Sequence, residues 1–269
     1  MKKHRLIPVL LLKNGWLVQS KGFSHYQNLG NPTTAVRRIS EWGSDELIYL
    51  DISNNEQYDI RRNDQNYPNR ESLLEIIEDV SKVTFMPITV GGKIKTLSHI
   101  EERLKFGADK ISINTQAIFE PKFIGQAANE FGAQCIVVSI DAKLKDQNYL
   151  VYNHKKSCPT KRDVLDFSKQ VESMGAGEIL LNSVDRDGMG NGYDLNLLNL
   201  VTDEVKIPVI ACGGVGEWHH FKEAFVETNV DAVAAANIFH YRDQSVYLAK
   251  KHLYESKMRV RKPDLLTIN

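Results

Sequence analysis

Two short stretches of this chain carry residues suited to gripping phosphate, and one is a copy of the other. The first reads Val90-Gly91-Gly92-Lys93-Ile94 and, after a helical stretch, Gly107-Ala108-Asp109-Lys110-Ile111-Ser112-Ile113-Asn114-Thr115. The second reads Ala211-Cys212-Gly213-Gly214-Val215-Gly216 and then Asn229-Val230-Asp231-Ala232-Val233-Ala234-Ala235-Ala236-Asn237. Gly92 and Gly214 stand 122 residues apart, as do Asp109 and Asp231. Each copy is a strand ending in Gly-Gly, a helix, and a strand ending in small or polar residues. Glycines at a strand end let backbone N–H groups approach an anion, and a helix N-terminus adds a favourable dipole. One grip in each half of the chain suggests a ligand with a phosphate at both ends.

Acid–base chemistry has candidates too. Asp141 closes the apolar run Val137-Val138-Ser139-Ile140, where it could act as a general acid or base, or order its own loop through Lys143. Asp51, Asp185 and Asp187 fall at comparable strand ends. A second set, Arg5, Glu46, Lys110 and Glu178, sits where strands begin. Two cations and two anions there can close a neutral ring. It reads either as ordinary barrel-bottom salt bridges, which composition alone favours, or as a gate across a channel. No catalytic triad, metal-ligand cluster or Walker motif is visible, and no cofactor is expected. His219-His220 reads as a solvated helix face, and Cys212 as a packing residue.

The elements that must position these groups follow from periodicity. Apolar runs predict strands near 5–12, 46–52, 86–90, 109–114, 135–141, 177–183, 207–211 and 231–236. Amphipathic stretches predict helices near 33–42, 70–82, 97–106, 121–131, 161–174, 194–203, 217–228 and 243–255. Continuous rather than alternating apolar strands indicate a parallel sheet covered on both faces. Eight such strand–helix pairs predict a single closed (β/α)₈ barrel over residues 1–269, with a half-barrel repeat. A second echo, Gly43-Ser44-Asp45-Glu46 against Gly175-Ala176-Gly177-Glu178, supports the repeat. The alternative, a doubly wound sheet, would want a G-x-G-x-x-G after the first strand, and none is there. Connections near 13–31, 53–69 and 143–160 are long and would crown the C-terminal face. The polar stretch 58–67 suggests a lid or partner contact.

Bulk properties exclude several classes. With 34 basic against 34 acidic residues, no net field points to nucleic acid or an anionic membrane. Three scattered cysteines argue for a reducing compartment and against a disulfide frame or zinc site. The start, Met1-Lys2-Lys3-His4-Arg5 before Leu6–Leu12, imitates a leader peptide but lacks a small-residue cleavage site, so a buried strand is the better reading. A cytoplasmic protein is expected.

The order of these motifs resembles the HisF family. The residues that carry the likeness are Arg5, Lys13 and Gly15, Asp45-Glu46-Leu47, Asp51-Ile52, the stretch 107–115, Ile140-Asp141-Ala142-Lys143, Gly175–Leu181 and Asp185-Arg186-Asp187-Gly188. HisF is the cyclase subunit of imidazole glycerol phosphate synthase, and the likeness runs from about residue 5 to 256. The resemblance implies that a HisH-like class I glutaminase docks on the N-terminal barrel face. Ammonia would then pass through the barrel to a bisphosphorylated ribonucleotide on the C-terminal face, with lyase and cyclase steps following. Arg5, Glu46, Lys110 and Glu178 match the family's ammonia gate, and Asp109 a docking contact. The grips map to Gly91, Gly92, Asn114 and Thr115, and to Gly213, Gly214, Ala236 and Asn237.

Departures from the family's pattern fall at one end. The family's catalytic carboxylates stand at two strand ends; Asp141 supplies one, but Leu11 replaces the other and can move no proton. Gln19 stands for a substrate-binding lysine, Lys93 for a glycine, Cys212 for a serine, and Asn182 and Met189 for threonines. This pattern is similar to the HisF-like branch called WbuZ, or second HisF, of surface-polysaccharide clusters. There the barrel passes ammonia toward a separate amidotransferase that makes an acetamidino group on a nucleotide-linked sugar. The expectation is therefore an ammonia-channelling synthase subunit with little or no cyclase chemistry. The alternatives are the histidine-pathway cyclase itself and a barrel that binds a bisphosphate without ammonia.

Overall fold

A computed structural model describes residues 3–54, 58, 70 and 72–266. In chain order its strands are β1 (Arg5–Lys13), β2 (Trp16–Lys21), β3 (His25–Gly30), β4 (Leu47–Asp51), β5 (Ile88–Gly91), β6 (Lys110–Ile113), β7 (Ile136–Lys145), β8 (Asn148–Asn153), β9 (Cys158–Asp163), β10 (Glu178–Ser183), β11 (Val209–Cys212) and β12 (Ala232–Ala235). The helices are α1 (Pro32–Glu41), α2 (Leu73–Ser81), α3 (Leu97–Lys105), α4 (Thr115–Phe119), α5 (Lys122–Phe131), α6 (Val164–Ser173), α7 (Leu195–Thr202), α8 (Trp218–Glu227) and α9 (Ser245–Glu255).

Eight of the strands are parallel and close on themselves in the order β1-β4-β5-β6-β7-β10-β11-β12, with β12 pairing back to β1. This is the single (β/α)₈ barrel the periodicity predicts. Side chains alternate along each strand, so one set faces the helices and the other fills the lumen. Leu6, Leu10 and Leu12 belong to the large cluster beneath the helices. Ile7, Val9, Ile48, Val137, Leu180, Ile210, Ala232 and Ala234 form a separate cluster within the barrel. Both faces of each strand are apolar for that reason.

The half-barrel repeat is visible in backbone detail. Asp109 accepts a hydrogen bond from the Ile88 N–H at 2.8 Å, and Asp231 accepts one from Val209 at 3.3 Å. Asn114 (φ −117°, ψ −81°) and Ala236 (φ −103°, ψ −76°) share an unusual conformation, each just before a helical turn.

Two of the three long connections are not loops. β2 and β3 extend the end of β1 as an antiparallel ribbon, and β8 and β9 do the same for β7. Both ribbons leave the barrel through two-residue turns, Asn14-Gly15 and Asp146-Gln147, whose φ angles are all positive. Such turns match the right-handed twist of paired strands, and Asn-Gly is their strongest sequence signal. The third connection, 53–69, including the proposed lid stretch 58–67, falls almost entirely outside the described residues.

The N-terminal face is fastened by a buried ion pair. Lys250 of α9 lies 2.8 Å from Asp45 Oδ1 and donates to the Gly43 carbonyl at 2.6 Å. Asp45 Oδ2 accepts from the Leu6 N–H at 2.9 Å, so one carboxylate ties β1, the entry to β4 and the last helix together. Both side chains are at most 3% exposed. Removing one partner strands a buried charge, so Lys250→Ala should lower unfolding free energy by ~3–5 kcal/mol in urea titrations.

Candidate functional site

Polar groups gather at the two ends of the apolar lumen. At the N-terminal mouth, Arg5 opens β1, Glu46 precedes β4, Lys110 opens β6 and Glu178 opens β10. Arg5 donates to Glu46 at 2.8 Å and to Glu178. Lys110 donates to the second oxygen of each carboxylate at 3.1 Å. Cations and anions thus alternate around a closed, neutral ring with side chains 7–21% exposed. Burial alone would push the Glu46 carboxyl up, but Arg5 and Lys110 outweigh it and hold it below its usual value. Burial acts against the Arg5 charge, and the two glutamates reverse that, raising its pKa. Asp109 lies beside this ring, exposed, with its carboxylate spent on the Ile88 N–H.

At the other mouth, Asp141 is buried on β7 and surrounded by donors. Asn114 Nδ2 lies 2.7 Å from Oδ2, and Asn182 Nδ2 lies 2.9 Å from Oδ1. His154 Nε2 lies 2.6 Å from Oδ2. His154 comes from the turn joining β8 and β9, so the second ribbon carries it back over the strand it grew from. Its ring meets Phe23 edge-on at 4.8 Å and Tyr152 at 5.2 Å. Burial tends to raise the Asp141 carboxyl, but His154 and the bonds from His154, Asn182 and Asn114 bring it below the usual range. Burial tends to lower His154, and Asp141, with Asp187 behind it, raises it above the ordinary imidazole value.

The remaining candidates separate into distinct roles. Leu11 packs on the lumen cluster together with Leu50, Cys212 and Ala236, so the end of β1 presents an apolar side chain to the lumen. Lys143 pairs with Asp185, not with Asp141, and Asp185 also accepts the Leu144 N–H at 2.9 Å. That pair orders the base of the second ribbon, so the loop-ordering carboxylate is Asp185. Asp187 accepts from Ser20 at 3.2 Å and from the Phe23 N–H at 3.4 Å, tying the first ribbon to the rim. Burial pushes its carboxyl up. Asp51 accepts from Ser53, from Tyr58 at 2.9 Å and from Lys93 at 3.0 Å.

Both Gly-Gly turns are tight. Gly92 (φ +109°) lies against the Asp51 carbonyl, and Gly214 (φ +106°) against that of Gly192, leaving no space for a Cβ. Gly91 abuts Leu50 and Ser112, and Gly213 abuts Asn182 and Ser183. Thr115 begins α4, whereas the Asn114 side chain is drawn off to Asp141 and the Ser139 carbonyl. In the second half Asn237 donates to the Ser20 carbonyl at 2.6 Å, and its buried Oδ1 has no partner among the described residues.

One sequence reading needs correction, and one residue of the site had none. His220 is not on a solvated face: it is 8% exposed, and its ring accepts the Gly216 and Glu217 N–H groups at the start of α8, while His219 alone is exposed. His154 went unnoticed among the candidates. A histidine in a polar turn gives no periodic signal, and only the ribbon pairing puts it on Asp141. Cys212 is a packing residue, its thiol pKa driven up chiefly by burial. Among the described residues no group of three or more His, Cys, Asp or Glu could hold a metal, and no helix is long and apolar enough to cross a membrane.

Fold and site together define a (β/α)₈ barrel of repeated half-barrels, with polar sets at both mouths. The family model described as "Histidine biosynthesis protein" matches residues 5–245, and the chain belongs to that family, of which HisF is a member. It is 43% identical over 261 residues, covering 97% of this chain and 92% of the other, to a Vibrio vulnificus (strain YJ016) protein named "Putative imidazole glycerol phosphate synthase subunit hisF2".

The Asp141–His154 pair links stability to pH. Because His154 is raised in the folded state, its contribution is complete below the ordinary value of about 6.5 and is lost as pH rises through the folded value. Asp141 is depressed, so its share is lost only in acid. In urea unfolding, the wild type's advantage over His154→Gln should be greatest at roughly pH 5–6.5 and shrink above that.

Proposed function

We propose that this chain is a HisF-like synthase subunit that receives ammonia from a HisH-like glutaminase and passes it through the barrel. The observation that carries the reading is the closed ring of Arg5, Glu46, Lys110 and Glu178 across the N-terminal mouth. An apolar lumen lined by Ile, Val, Leu and Ala side chains lies above it. Neutral ammonia suits such a path, whereas ammonium, like any ion, is costly to take out of water. A ring of paired charges blocks ions when closed and opens only by exchanging partners.

The glutaminase would dock on the N-terminal face. Beside Asp109, Ser81, Thr84, Phe85 and Met86 border a hollow, and Phe85 is 79% exposed, an apolar handle at its edge. The acceptor favoured by the rim is the N-acetyl group of a nucleotide-linked sugar of surface polysaccharide. In that reading a separate sugar amidotransferase occupies the C-terminal face. Leu11 supports it, since a leucine at the end of β1 removes one proton-transfer group from the cyclase machinery. The name of the Vibrio relative supports a second reading, the lyase/cyclase subunit of imidazole glycerol phosphate synthase.

Two measurements decide between these. Free ammonium salt at alkaline pH removes the need for a partner, so turnover of the histidine-pathway ribonucleotide reports the barrel's own chemistry. No turnover is expected, and turnover at the rate of a working cyclase would establish the second reading. In the complex with the glutaminase, Lys110→Ala should uncouple glutamine hydrolysis from product formation. It leaves two carboxylates sharing one cation, at ~3–5 kcal/mol for a broken buried network. Unchanged coupling in that variant would rule out the gate.

A further inference from the structure

We propose that His154 is the proton-transfer residue of the C-terminal-face site and that Asp141 is the residue that positions it. The inference rests on the reading that ammonia leaves the lumen at this mouth and meets a carbon acceptor there. Asp141 alone is badly placed to move protons. Its carboxylate side chain is 8% exposed and accepts from three side chains at once, Asn114, Asn182 and His154. Three donors therefore occupy three of its roughly four acceptor positions, and burial hides most of what is left from a substrate. His154 has the complementary arrangement. Nε2 is fixed on Asp141, the ring is held between Phe23 and Tyr152, and the side chain is 37% exposed. Among the described residues nothing hydrogen-bonds to Nδ1. A carboxylate behind one imidazole nitrogen fixes the tautomer and leaves the other nitrogen to exchange protons.

The geometry also explains how a barrel with Leu11 retains this capacity. Instead of two carboxylates from opposite strands, one strand and the ribbon that continues it supply both partners. Asn182 belongs to the same assembly, because its Nδ2 holds the Asp141 oxygen that His154 does not use.

The ligand class is a carbonyl carbon brought to this mouth, whether of a ketose bound by the barrel or of an N-acetyl group presented there by the amidotransferase. As the ammonia lone pair forms the C–N bond, the C=O π pair moves to oxygen, which takes the Nδ1 proton of the imidazolium. The new ammonium nitrogen then returns one proton to Nδ1. The product is the neutral amino alcohol, and the pair ends as it began. The charged groups bearing on His154 are Asp141 from β7 and Asp187 from the loop after β10, and both favour the imidazolium.

Cells carrying His154→Gln or Asp141→Asn on the chromosome, fed glutamine labelled with nitrogen-15 at the amide, provide the test. Label is counted in histidine, in surface-polysaccharide sugars and in free ammonium, so both candidate acceptors are covered. Proton-transfer groups contribute ~10²–10⁴-fold, so His154→Gln should lower product label at least tenfold while labelled ammonium accumulates. Label at the wild-type level in His154→Gln would overturn the proposal. Wild-type label in neither product would instead overturn the ammonia reading, and the proposal with it. On the purified chain, nitrogen-15 imidazole spectra should show His154 titrating above the ordinary histidine value and falling back in Asp141→Asn. A titration that Asp141→Asn leaves unmoved would overturn the positioning role, and this measurement holds even if the glutamine variant folds poorly.

Discussion

A lumen packed with Ile7, Val9, Ile48, Val137, Leu180, Ile210, Ala232 and Ala234 admits no unpaired charge, and the rest of the architecture answers to that constraint. The charged groups that border it lie at the two mouths, where each carboxylate of the ring and Asp141 is met by donors. At the N-terminal end, two cations and two anions share their partners evenly, so no oxygen of the ring lacks a donor. At the C-terminal end, a single carboxylate needs two amides and an imidazole to remain ionised in the same surroundings. The difference is one of composition: the ring holds only permanent cations and carboxylates, whereas the carboxylate set includes an imidazole, His154, whose pKa Asp141 raises above the ordinary value.

The two halves of the barrel share one pattern and differ where the rim is concerned. The strand-end caps Asp109 and Asp231, and the shared backbone at Asn114 and Ala236, preserve the repeat. Above them, the first half has Lys93 on Asp51 and turns the Asn114 side chain toward the Asp141 set. The second half keeps glycines pressed against backbone and turns Asn237 toward the first ribbon. Scaffold positions answer to packing, which is alike in both halves, and rim positions are free to differ between them.

Much of this was legible in the residues. Continuous apolar runs located all eight barrel strands, because a strand buried on both faces has no other composition open to it. Arg5, Glu46, Lys110 and Glu178 were visible as charges at strand starts, where the regular alternation leaves one direction for them to point. The ribbons were less legible. Asn14-Gly15 announces its turn, but Asp146-Gln147 holds positive φ without glycine and gives little sign of it. His154 depended on that second turn, so the error in one connection concealed the partner of Asp141. His220 was misread because a helix-face periodicity cannot distinguish a solvated ring from one folded back to cap its own helix.

The Lys250–Asp45 fastening has a further consequence, for the order in which the protein can be built. The two residues are 205 positions apart, and β1 finds its last neighbour only in β12. As the chain emerges from the ribosome, the first strands have no means of closing the barrel, and Asp45 has no counter-ion to bury with. Domains generally fold as units, and contacts this distant in sequence form slowly. The nascent chain therefore carries open sheet edges for most of its synthesis, and the arrival of α9 completes the N-terminal face. The N-terminal face is thus the last part of the barrel to be completed.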